Sequence, residues 1–85
     1  MTSDPKIVME EDVVRYVLAA SAKQRRRLIA QLEYLQKHSF EPPDFQEKDR
    51  SGRWLNVKAL KPFLITYWLD GPVDELRIVN IETVR

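Results

Sequence analysis

Eighty-five residues suit one small domain, which buries only about 60% of the surface its unfolded chain exposes, and a hydrophobic share of 44% excludes wholesale disorder. Fourteen basic against 13 acidic residues give a net charge of +1, too even for a dedicated nucleic-acid binder, and the lack of cysteine removes disulfides and thiolate chemistry. No apolar run approaches the roughly 20 residues that span a bilayer, and Met1–Met9 has no basic patch ahead of an apolar stretch, so the chain is expected in the cytosol with no membrane partner.

Ile7 and Val8, within Pro5–Met9, suggest a short first strand that adds to an edge of a sheet. Glu10, Glu11 and Asp12 precede Val13, Val14, Val17 and Leu18. Acids in a first helical turn complement the helix dipole, and the valine–leucine spacing draws one apolar stripe along that helix. Ser21 with Gln24 reads as a capping box opening a second helix that runs to about Lys37. Leu28, Ile29, Leu32 and Leu35 line its apolar face. So short a link forces the helices into an antiparallel hairpin.

From His38 to Gly52 the periodicity stops; Pro42 and Pro43 end any helix, and Phe45 is expected to pin a long polar loop to the core. Then come three β-rich stretches, Arg53–Leu60, Phe63–Leu69 and Glu75–Val84, separated by Lys61-Pro62 and Asp70-Gly71-Pro72. Short turns in succession make an antiparallel meander. Alternation puts Leu55, Val57 and Ala59 on one face of their strand, and Phe63, Ile65, Tyr67 and Leu69 on one face of the next. A bulge near Ile78–Val79 would reconcile Leu76 and Ile78 with Ile81. The two helices are expected over these apolar faces, leaving Trp54, Asn56, Lys58, Thr66 and Trp68 together on an open face. The fold class is α+β, a helical hairpin on one face of a small antiparallel sheet in the order β-α-α-β-β-β, spanning residues 1–85 as a single domain.

Gly-Arg-Trp-Leu-Asn-Val-Lys (52–58), Ile-Thr-Tyr-Trp-Leu-Asp (65–70) and Glu-Leu-Arg-Ile-Val-Asn-Ile (75–81), placed after a helical hairpin and a proline-containing loop, resemble the RelE/ParE toxin superfamily. The resemblance implies the toxin of a bacterial type II toxin–antitoxin system that inhibits growth. It implies a cognate antitoxin as partner in a hetero-oligomer, through a segment disordered when free. It also implies one of two targets, the ribosome with its messenger RNA or DNA gyrase, and no cofactor. Of the two lysines that RelE-like members carry on the first meander strand, Asn56 and Lys58 hold the positions, so one is kept. The arginine near the start of the next strand falls at Phe63 or Leu64 and is missing; Arg85 matches a basic residue beyond the last strand, and the tyrosine-bearing C-terminal helix has no match.

Metal-free RNA cleavage needs a base, a cation and an acid. Lys58 and Arg85 are the candidate catalytic cations, with Glu82 or an ionised neighbour as base. Trp54 and Trp68 either stack bases or cover a partner-binding patch. Asn56 and Glu82 complete the candidate binding face, with Arg77, for which an ion pair with Glu75, Glu82 or Asp70 is expected. Arg25 and Arg26 head a basic cluster on the second helix, suited to an acidic antitoxin or RNA. His38, the sole histidine, reads as a helix-end cap, and no metal site is expected.

Overall fold

The computed structural model describes residues 4–84; Met1–Ser3 and Arg85 lie outside the described residues. The elements run β1 (Lys6–Met9), α1 (Glu11–Ala19), α2 (Ala22–Lys37), β2 (Phe45–Lys48), β3 (Trp54–Leu60), β4 (Phe63–Asp70) and β5 (Glu75–Thr83), with one 3-10 turn at Gly71–Val73. Glu11 and Asp12 occupy the first turn of α1, as their charge favours. Ser21 caps α2, its hydroxyl accepting from Gln24 N at 3.2 Å, a contact that contributes about 1 kcal/mol. The reciprocal half of the box is absent, since Gln24 Oε1 is buried without a partner.

The five strands form one sheet in the order β1-β5-β4-β3-β2. It is mixed, not antiparallel as expected, because β1 pairs β5 in parallel. That arrangement needs a crossover between the two strands, and everything from α1 to β4 supplies it. The polar stretch expected as loop contains a fifth strand, β2, paired antiparallel to β3. The hairpin closes through Asp49, whose carboxylate accepts from Ser51 N, Ser51 Oγ and Arg53 N at 2.8, 2.6 and 3.0 Å. Gly52 adopts φ +87° there, a left-handed turn that favours glycine. Phe45 does not pin this segment to the core; it sits on β2 and is 49% exposed.

Val13, Leu28, Leu32 and Leu35 from the helices meet Phe63, Ile65, Tyr67, Leu76, Ile78 and Ile81 from β4 and β5 in the core. Burying one such leucine or isoleucine contributes about 1.5–3 kcal/mol. The helical stripes are narrower than expected: Val14, Leu18 and Ile29 are exposed, Leu18 to 70%. Thr66 pairs Asn80 while Tyr67 pairs Ile78, so Val79 is the extra residue of a bulge. It stands where the sequence pattern asks for one, and lets Leu76, Ile78 and Ile81 all turn inward.

The two faces of the sheet divide differently from the expectation. Leu60 pairs Phe63, Lys58 pairs Ile65, Asn56 pairs Tyr67 and Val57 pairs Thr66. Residues directly opposite in an antiparallel pair share a face, so Asn56 and Lys58 lie on the helix side with the core of β4. Leu55 and Val57 lie on the helix-free side, buried there with Thr66. The physical cause is the two-residue connection Lys61-Pro62, which places residue 60 opposite 63 and thereby fixes the parity of one strand against the other.

Candidate functional site

The segment from His38 to Asp44 runs from the end of α2 to β3, where Asp44 N bonds Val57 O. Tyr34 and His38 are one helical turn apart and stack at 4.3 Å between ring centroids. Glu41 N donates to His38 O at 3.0 Å, turning the chain back so that the Glu41 carboxylate reaches the two rings. Tyr34 Oη donates to Glu41 at 3.1 Å from Oε2. His38 Nδ1 lies 3.1 Å from Oε1. Lys58 Nζ donates to Glu41 Oε2 at 3.1 Å and to Pro42 O at 3.3 Å. Asp44 completes the junction: its N donates to Val57 O at 2.9 Å, and its Oδ2 accepts from Ala59 N at 2.6 Å.

The electrostatics follow from these contacts. Glu41 is held below the usual carboxylate range, first by the Lys58 hydrogen bond, with Tyr34 and the charges of Lys58 and His38 adding to it against desolvation. Burial pushes Lys58 down, yet the hydrogen bond and charge of Glu41, helped by Tyr67 and Tyr34, outweigh it and leave a net upward shift. Tyr34 is raised, chiefly by its bond to Glu41. Tyr67, under the same cluster, is raised mainly by burial. The lysine side chain is only 13% exposed. A carboxylate–ammonium pair, its lysine sheltered and its glutamate 41% exposed, thus sits among a phenol and an imidazole, groups capable of proton transfer or of binding an oxyanion.

The expected site residues separate into two groups. Trp54, Asn56 and Lys58 share the helix side: Gln46 Nε2 donates to Asn56 Oδ1 at 2.7 Å, and Lys48 Nζ lies 4.9 Å from the Trp54 ring centre. Trp68, Arg77 and Glu82 lie on the helix-free side, because Trp68 pairs Arg77 and Leu64 pairs Glu82. There Arg53 stacks on Trp68 at 3.9 Å, with Arg77 at 5.6 Å, so the indole already carries guanidinium groups. Arg77 makes the expected ion pairs, to Glu75 at 2.7 Å and Asp70 at 3.5 Å. Glu82 accepts from Asn80 at 3.3 Å and does not meet Lys58, which removes it as the base for that lysine. Arg85 lies outside the described residues.

The basic cluster of α2 also divides. Arg25 donates from Nε to Val17 O at 3.1 Å and from Nη2 to Leu18 O and Ala20 O at 3.3 and 3.0 Å. It therefore closes the C-terminal end of α1, where a cation complements the dipole, and is not a free partner contact. Arg26 is exposed.

Tyr34, His38 and Glu41 were not singled out from sequence as site residues. The available signal was an aromatic and a histidine four apart at a helix end, with an acid three residues later and just before two prolines. Among the described residues no group of three or more His, Asp or Glu side chains converges as a metal site.

No protein-family model matches the sequence, and no curated protein sequence matches it. Among solved structures, the chain is similar to the crystal structure of an archaeal RelE–RelB complex from Pyrococcus horikoshii OT3, at 12% identity with a TM-score of 0.70. The match covers 95% of this chain and 96% of that one. At so low an identity the likeness speaks for the fold: two helices on a mixed five-stranded sheet, the RelE-like architecture.

Proposed function

We propose that the chain is the toxin of a type II toxin–antitoxin pair, acting in the cytosol and neutralised by a cognate antitoxin protein. The observation that carries this reading is the near end-to-end match to a chain of a RelE–RelB complex. The meander strings at 52–58, 65–70 and 75–81 support it independently, as they resemble the same superfamily.

Between the two targets, the geometry favours a toxin that acts by binding, as on gyrase, over an RNA-cleaving one. Lys58 is matched by Glu41 and by a backbone carbonyl, and Glu82 lies across the sheet. A cation free to meet the charge that builds at a scissile phosphate is not assembled at Lys58 in this conformation. The ribosome-dependent nuclease reading would require that Glu41 be moved.

Induced expression of the chain alone is the test. Growth arrest, relieved by co-expressing a short adjacent reading frame that encodes a DNA-binding fold with a disordered tail, is the expected result. Pulse-labelling then separates the targets: an early fall in DNA synthesis fits gyrase, and an early fall in protein synthesis fits the ribosome. Folded protein that accumulates without slowing growth would leave only a non-toxic interaction module on the same fold.

A further inference from the structure

Three side chains from two elements converge on one carboxylate beside β3. Tyr34 Oη and Lys58 Nζ both reach Oε2 of Glu41 at 3.1 Å, and His38 Nδ1 reaches Oε1 at the same distance. The segment carrying Glu41 does not need that carboxylate to stay in place. Backbone bonds from Glu41 N to His38 O and from Asp44 N to Val57 O anchor it on either side, and Asp44 Oδ2 holds Ala59 N. The Glu41 side chain can therefore turn outward without the segment unfolding. Doing so would leave an ammonium, a phenol and an imidazole nitrogen gathered around the vacated point. Phe40, 92% exposed, stands next to it in the chain.

We propose that Tyr34, His38 and Lys58 form an oxyanion site for a phosphate monoester or free phosphate, and that Glu41 occupies it as an internal mask. The chemistry selects this ligand class. A tethered carboxylate competes at high effective concentration, so another carboxylate of equal charge gains nothing over it. A phosphate dianion brings about two charges and three strong acceptor oxygens, enough to engage all three donors at once. The inference rests on this geometry and stands whether or not the chain is a toxin, so growth assays do not decide it.

Isothermal titration and the His38 imidazole NMR signals, read while inorganic phosphate or a nucleoside 5′-monophosphate is added, test the site. Glu41→Gln keeps the shape of the mask and removes its charge; it is expected to bind roughly tenfold tighter than the parent chain, the size of one charge-assisted hydrogen bond. Glu33→Gln, on the exposed surface of α2, makes the same change in net charge and is expected to leave affinity unaltered. Tighter binding of the nucleotide than of inorganic phosphate, lost in Phe40→Ala, identifies a nucleotide's terminal phosphate as the ligand; equal binding identifies free phosphate. The proposal is overturned if Glu41→Gln gains nothing, if Glu33→Gln gains as much, or if the gain survives adding Lys58→Met. Should Glu41→Gln not fold, the parent chain at high phosphate still decides: its His38 signals are expected to move, and not to move in Lys58→Met.

Discussion

Replacing Arg25 with alanine is expected to be the most damaging surface substitution in the helical layer. The guanidinium binds three carbonyls at the end of α1, two of them at partly buried contacts and one exposed. Counting about 1 kcal/mol for each sheltered bond, nothing for the exposed one, and about 0.5 kcal/mol for the helix dipole, the loss comes to about 2.5 kcal/mol. For a domain of this size that lowers the melting temperature by roughly 10–20 °C, and the urea midpoint by about 2.5 M at a slope near 1 kcal/mol/M. Urea titrations followed by far-UV circular dichroism measure both midpoint and slope. Arg26→Ala, next along the helix and exposed, is the control and is expected to stay within about 0.5 kcal/mol of the parent. Arg25→Lys offers one compact ammonium in place of a planar fork, and is expected to recover less than half the loss. Equal midpoints for Arg25→Ala and Arg26→Ala would refute the capping role and return Arg25 to the list of partner contacts.

Gly52→Ala meets no neighbouring atom but forces a left-handed φ, so it should cost about 1–2 kcal/mol in the same titration without loss of native chemical shifts elsewhere. Leu35→Ala, at a fully buried position, should cost about 2–5 kcal/mol, and a value below 1 would show that α2 is not seated on the sheet as described. On pH, Glu41 and Asp49 titrate below their ordinary 4.5 and 3.8, so their share of stability is present above those values and is lost as pH falls through the lower, folded ones. Tyr34, Tyr67 and Lys58 titrate above their ordinary 10.0, 10.0 and 10.5; their share is present below those values and is lost as pH rises through the folded ones. Thermal melts from pH 2 to 12 should therefore show a plateau with two falling limbs, the acid limb shallower in Glu41→Gln. In growth assays Lys58→Met and Glu82→Gln should differ if the helix side of β3 is the working face, and equal effects would point to the other side.

Local signals were read well because they depend on few residues. Ser21 caps α2, the residue-79 bulge falls where Leu76, Ile78 and Ile81 demand it, and the meander and its turns stand where Val, Ile, Lys61-Pro62 and Asp70-Gly71-Pro72 put them. Relations between strands fared worse. Alternation shows which residues of β3 share a face, but not which face of β4 they join; the length of the Lys61-Pro62 connection decides that, and leaving it out inverted β3. The polar β2 was missed because both its faces are exposed, so no hydrophobic period marks it, although Asp49-Arg50-Ser51-Gly52 is a turn sequence of the kind that closes hairpins. The cluster around Glu41 was illegible for a related reason: its members come from a helix end, a loop and a strand, and only the inverted strand brings Lys58 to the other three. The fold assignment survived the inversion because it rests on the order of elements, which does not depend on which side of β3 is up.

The parallel pairing of β1 with β5 has a kinetic consequence. Lys6 lies beside Glu75, so the 68 residues between them must be enclosed before that edge can form, at an entropic cost of about 4 kcal/mol for the closure alone. The β2–β3–β4–β5 hairpins need only short excursions and can assemble first, whereas α1, which packs on β5 and is tied to it through Tyr16 and Thr83, has no platform until then. In refolding, amides of residues 6–9 are expected to gain protection last, and in dilute denaturant they are expected to surrender it first.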